Sequence, residues 1–181
     1  MSNNQLTNLF GIQQLPTLQV LHAEHNLITT VSIPQTYTHQ SKLDVSSSAS
    51  TVGSQKGQAS REAEKGHEVL GMASLTDIFL GYNSITSLDG LDRLGPNIEY
   101  LGVENNSFAE SSTVVPYIPL LKKLKYLMLV GNPLSTSQHE VRSIINVLMK
   151  TCPSLQSIDN IAIKKEENGE LTYSLTHSLT H

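Results

Sequence analysis

A few groups of residues in this sequence have the types and spacing to do chemistry. His22, Glu24 and His25 put two imidazoles and a carboxylate within four positions. Those are zinc ligands, but a zinc site needs about four, and no fourth is placed. An ordinary polar strand accounts for them as well. His177 and His181 lie four apart in the duplicated SLTHSLTH and would share a helical face, yet a Ser- and Thr-rich tail tends to fray. Cys152 closes an amphipathic stretch beside Pro153, where packing is the expected role and nucleophilic work is not. Ser46, Ser47, Ser48, Ser50, Ser54 and Ser60 stand near Lys and Arg. Phosphorylation there would add negative charge, and a passive loop is the simpler reading. The run Lys164-Lys165-Glu166-Glu167 is mixed in sign and reads as a solvated turn or helix edge. No Ser–His–Asp arrangement, P-loop or Gly-rich dinucleotide motif is present. The chain is therefore expected to be no enzyme and to carry no cofactor and no metal.

Bulk properties narrow the partners. The 181 residues fit one domain, and a net charge of −4 gives no basic footprint for nucleic acid. No direct nucleic-acid binding is expected, although a partner that itself binds RNA is compatible. Cys152 is the single cysteine, so no intrachain disulfide can form, which fits a reducing compartment. The opening MSNNQLTNLF lacks the pattern of a secretory signal, and no run approaches the roughly 20 apolar residues needed to span a bilayer. An intracellular protein, cytoplasmic or nuclear and away from membranes, is expected.

What positions these side chains is a repeat. Four segments share one template of Leu, two variable, Leu, one variable, apolar, two variable, Asn, one variable, apolar. They are LQVLHAEHNLI (18–28), LTDIFLGYNSI (75–85), IEYLGVENNSF (98–108) and LKYLMLVGNPL (124–134). Ala23 and Phe108 are the mild departures. Asn4 precedes Asn26 by 22 residues, and Asn83 precedes Asn106 by 23. From Asn106 to Asn132 the step is 26, with extra residues expected near Val115–Pro119. From Asn26 to Asn83 it is 57, too long for two repeats. A degenerate repeat ending at Ser48, followed by a Ser/Gly-rich insert at about 48–66, fits that phase. The composition of the insert cannot bury enough apolar surface to fold.

The Leu-x-apolar core predicts a short strand, and apolar positions three apart predict a tight 3₁₀ or helical return. One such coil cannot bury its leucines alone, so coils must stack. The Asn amide both donates and accepts and can satisfy backbone groups of adjacent coils. After Asn132, Ser137 and Glu140 form an S-x-x-E capping box. Val141, Ile144, Ile145, Leu148 and Met149 mark one helical face, which Cys152-Pro153 ends. This predicts a helical lid over the last coil.

The 22-residue spacing resembles the class of leucine-rich repeats found in the nuclear regulatory subunit of type-one protein phosphatase. Asn132-Pro133, Arg142 and Pro153-x-Leu155-x-x-Ile158-Asp159 look like the carboxy-terminal cap of the spliceosomal U2-associated leucine-rich protein. The resemblance covers about 4–160. The expected fold class is α/β: a right-handed leucine-rich-repeat solenoid with a parallel sheet on the concave face. Short 3₁₀ or helical returns lie on the convex face, and a helical cap follows. The expected layout is one domain over 1–160, of about five repeats with the cap at 135–160, and a tail over 161–181. The resemblance implies a protein partner, with phosphatase, splicing and cytoskeletal factors all within range.

Residues between the fixed strand positions should face outward. One row reads Val20, Lys42, Asp77, Tyr100 and Tyr126. The next reads His22, Asp44, Phe79, Gly102 and Met128. The third reads Glu24, Ser46, Gly81, Glu104 and Val130. Aromatic and Met residues with charges at their edge form a partner-binding surface. The expected contact residues are Val20, His22, Glu24, Asp77, Phe79, Tyr100, Glu104, Tyr126, Met128 and Val130. The expected function is an adaptor or regulatory subunit, acting as a monomer. The alternative is a structural, oligomeric component or a fragment that uses an uncapped first coil at Leu6, Leu9, Phe10 and Ile12.

Overall fold

The computed structural model describes residues 1–33, 72–165 and 171–173. Residues 1–33 and 70–181 form one compact unit; the second unit, 34–69, lies outside the described residues. The Ser48 coil, Lys42, Asp44, Ser46, the insert, His177 and His181 lie there or in the tail beyond 173, also outside the description.

Each Leu-x-apolar core is a three-residue strand: β1 (Val20–His22), β2 (Asp77–Phe79), β3 (Tyr100–Gly102) and β4 (Tyr126–Met128). All four pair in parallel, register on register, as Val20↔Asp77↔Tyr100↔Tyr126. The centre of every strand (Leu21, Ile78, Leu101, Leu127) is buried, because alternate side chains point into the stack. Short 3₁₀ segments make the returns, at Ile12–Gln14, Leu91–Arg93, Ser111–Thr113 and Ile118–Leu120. The longer step to Asn132 is absorbed by the pair of 3₁₀ turns flanking Val115 to Tyr117, where Val114, Ile118 and Leu121 pack inward. Leu15 is the exception among the three-apart leucines. It is exposed, whereas its counterparts Met72 and Leu121 are buried.

The asparagines form a ladder. Each Oδ1 accepts an N–H from the preceding coil: Leu6 to Asn26, Ile28 to Asn83, Ile85 to Asn106 and Phe108 to Asn132, at 3.0–3.2 Å. Each Nδ2 donates to a carbonyl of its own turn and to one in the coil before, as Asn106 does to Val103 and Leu80. Asn4 belongs to the same series. Its amide donates to Met1 and Ser2 carbonyls, as that of Asn26 does to Ala23 and Glu24.

The sheet corrects one expectation. Val20, Leu21 and His22 pair directly with Asp77, Ile78 and Phe79, so no strand stands between β1 and β2. Lys42, Asp44 and Ser46, expected in rows between β1 and β2, lie outside the described residues.

The lid is α1 (Gln138–Thr151), with Ile144, Ile145, Leu148 and Met149 buried and Val141 half-buried. Its capping box is half formed. Ser137 Oγ accepts the Glu140 N–H at 3.4 Å, but the Ser137 N–H goes to the Leu134 carbonyl, leaving Glu140 Oε2 buried without a partner. After α1, β5 (Ser157–Ile158) adds to β4 in parallel. The sheet then runs past residue 160: β6 (Ile161–Lys165) turns back antiparallel on β5, and β7 (Leu171–Tyr173) pairs with β6. Lys164 and Lys165 thus lie on a strand and not in a turn.

Asp159 ends the parallel stack. In earlier coils the N–H after the strand goes to the next strand's carbonyl, as Val103 to Met128. At the last coil the Leu129 and Val130 N–H groups instead meet Asp159 Oδ1, at 2.5 and 2.9 Å. Burial pushes the Asp159 carboxyl above the ordinary aspartate range, against the pull of those two N–H groups.

Candidate functional site: the open face of the sheet

The outward rows lie as the phase predicts, side by side across β1 to β4. Rings meet along a diagonal. His22 stacks on Phe79 at 4.4 Å with planes 7° apart. Phe79 meets Tyr100 at 4.7 Å, and Tyr100 meets Tyr126 at 6.4 Å, both tilted. Parallel strands about 4.8 Å apart place in-register rings such as His22 and Phe79 at this distance. The Tyr126 hydroxyl donates to Gln156 Oε1 at 3.1 Å, so the segment before β5 holds the end of the row. Val20, Tyr126 and Val130 are exposed, while Phe79, Tyr100 and Met128 are half-covered.

Three carboxylates edge the rings, and their surroundings differ. Glu24 accepts from Ser2 Oγ and pairs with His22 Nδ1 at 3.0 Å. Burial alone would raise its pKa, but these hydrogen bonds outweigh burial and hold it below the usual glutamate range. Asp77 accepts from Thr76 Oγ1 at 2.6 Å. Glu104 has no hydrogen-bond partner among the described residues, and its Oε2 is fully buried. Partial burial, with Glu104 and Asp77 nearby, raises the Tyr100 phenol.

Gly81 and Gly102 are the residues that sequence reasoning placed in the rows without giving them a role. A Cβ at Gly81 would collide with Glu104 Oε1. At Gly102 it would meet Glu104 Oε2 at 3.0 Å and Tyr100 Cε1 at 3.2 Å. The carboxylate therefore lies across the two glycines, beside the Tyr100 ring. Two glycines interrupting outward rows next to an acid were the available signal.

The other chemical candidates fall into ordinary packing. His25 stacks on Tyr82 at 4.3 Å, so it does not join His22 and Glu24. No three His, Cys, Asp or Glu side chains converge among the described residues. Cys152, which ends α1, is buried, and burial pushes its thiol up, away from thiolate chemistry. Leu9 and Ile12 of the first coil are buried, leaving Phe10 exposed. No described helix is long and apolar enough to cross a membrane.

Strand, tight return, asparagine ladder and open parallel sheet define a leucine-rich-repeat solenoid. Comparison with known proteins agrees. The chain is similar to the Leucine-rich repeat-containing protein 56 homolog of Trypanosoma brucei brucei, with 30% identity over 64 residues. That match covers 35% of this chain and 8% of the trypanosomal protein. It is also similar to the structure of a leucine-rich-repeat protein of Leptospira interrogans. There the TM-score is 0.50 and the identity 23%, over 82% of this chain and 26% of that one. The chain thus spans a small part of either protein. No protein-family model matches the sequence.

Proposed function

We propose that this chain is a non-catalytic recognition module that binds a protein partner on the open face of its sheet. It would act inside the cell as a monomeric adaptor or regulatory subunit. The observation that carries this reading is the ring row His22–Phe79–Tyr100–Tyr126 on four adjacent strands, with His22 opposite Phe79, Tyr100 opposite Tyr126, and Phe79 diagonal to Tyr100. A rigid backbone presents these rings at little entropic cost, which favours a hot spot. Leucine-rich-repeat proteins are generally protein-interaction modules, and that supports the class of partner. Phosphatase, splicing and cytoskeletal factors are the versions that the repeat length and cap favour.

The test is capture from a lysate of the source cell with wild type and with Phe79→Ala/Tyr100→Ser/Tyr126→Ser, read by mass spectrometry. Matching circular dichroism establishes that both are folded. A partner held by wild type and lost from the variant supports the reading, and equal capture overturns it. A second reading, self-association through the first coil, is favoured by exposed Phe10 and Leu15. A concentration-independent monomer in light scattering would exclude it.

A further inference from the structure

The outward positions of β1 to β4 and the residues just after them hold three acids, Glu24, Asp77 and Glu104, and no Lys or Arg. A partner surface is expected to carry the opposite charge. The three acids are not equivalent. Glu24 is occupied by Ser2 and His22, and Asp77 by Thr76. Glu104 is the acid without a donor among the described residues, and one of its oxygens is buried. A buried carboxylate oxygen without a donor is costly, so a donor arriving with the occupant gains what the free chain forgoes.

The surroundings of Glu104 restrict that donor. The carboxylate is laid across Gly81 and Gly102, where a side chain would collide with it. The Tyr100 ring borders the same spot, and Phe79 continues the aromatic wall at 4.7 Å. A flat cation fits between a carboxylate and a ring face better than a compact one. A guanidinium offers planar stacking and a two-pronged hydrogen bond, whereas an ammonium offers a point charge.

Resting on the protein-recognition reading above, we propose that the open face takes an arginine side chain of an extended partner segment, its guanidinium bonded to Glu104 and stacked on Tyr100.

The test uses the full ¹⁵N-labelled chain and three blocked tripeptides, acetyl-Gly-X-Gly-amide. X is arginine, lysine or citrulline, the last being the uncharged isostere. The arginine peptide is expected to move the amide signals of Gly81, Gly102 and Glu104. It should bind about tenfold or more tightly than the citrulline peptide, with lysine between. Glu104→Gln should remove that preference, whereas Glu24→Gln should keep it. Equal binding of arginine and citrulline, signal changes confined to other residues, or an unchanged preference in Glu104→Gln would each overturn the proposal. Should Glu104→Gln fail to fold, the arginine and citrulline comparison on wild type decides alone. If these peptides fail while a partner is still captured through Tyr100 and Tyr126, the arginine proposal falls and the recognition reading stands.

Discussion

Asn83 Oδ1 accepts the Ile28 N–H at 3.0 Å, across 55 positions of sequence. The equivalent bonds elsewhere, Leu6 to Asn26 and Ile85 to Asn106, span 20 and 21. The described coils on either side of residues 34–71 are therefore stacked directly on each other.

Replacing residues 34–71 by the four residues of the equivalent return, Leu91–Leu94, should therefore keep β1 paired with β2. The shorter closure removes roughly 2 kcal/mol of loop entropy at most. Stability in urea should be unchanged or higher, and the Ile28 amide should stay protected from hydrogen exchange. Loss of that protection would show that residues 34–71 contribute a coil.

Asn106 is buried and bonds Ile85, Leu80, Val103 and Glu104 backbone groups. Asn106→Ala leaves several of these unpaired and should cost about 2–4 kcal/mol. Exposed Asn4, whose side chain bonds Met1 and Ser2 alone among the described residues, should cost under about 1 kcal/mol as Ala. Urea denaturation of the two variants compares them directly.

Asp159 should give a pH signature. Burial raises its native pKa above the unfolded value, so the native state holds the proton more tightly. That contribution is fully present below the unfolded pKa and is lost as pH rises through the native one. Asp159→Asn keeps an oxygen for Leu129 and Val130 and does not titrate. The melting temperature of wild type relative to Asp159→Asn should therefore fall as pH rises from below the ordinary aspartate pKa through the raised native one. A constant difference would mean that the carboxyl is not perturbed.

Gly81→Ala separates site from scaffold. The added methyl meets the end of the Glu104 side chain and not backbone, so the carboxylate can swing away. Stability should fall by less than about 1 kcal/mol, while partner capture drops severalfold. Unchanged capture would show that the position of Glu104 is immaterial.

The repeat and the rows were legible because a strand alternates with period two and the asparagine recurs once per coil. One template thus fixes both the buried positions (Leu21, Ile78, Leu101 and Leu127) and the outward ones. What escaped the template were features set by contacts between coils. Phase arithmetic counts residues but cannot tell a degenerate coil from a long return, so a coil carrying Lys42 is expected at the place beside Val20 that Asp77 holds. Asp159 stands where a strand residue would and closes the ladder with its side chain, a role visible only once β5 is seen to stop. The Ser137–Glu140 spacing fits a capping box, yet the Leu134 carbonyl takes the N–H that Glu140 needed. The Glu104 cradle depends on two glycines from neighbouring strands, 21 residues apart in sequence.

The most direct test of partner recognition on the open face is site-specific photocrosslinking. A benzophenone amino acid at Tyr126, on the open face, is compared with one at Leu120, on a 3₁₀ return; the two positions are similarly exposed, at 41% and 47%. Irradiation in a lysate of the source cell is predicted to give a partner adduct from position 126 and none from 120. Adducts from position 120 alone, or the same adducts from both, would contradict the account and move recognition off the sheet.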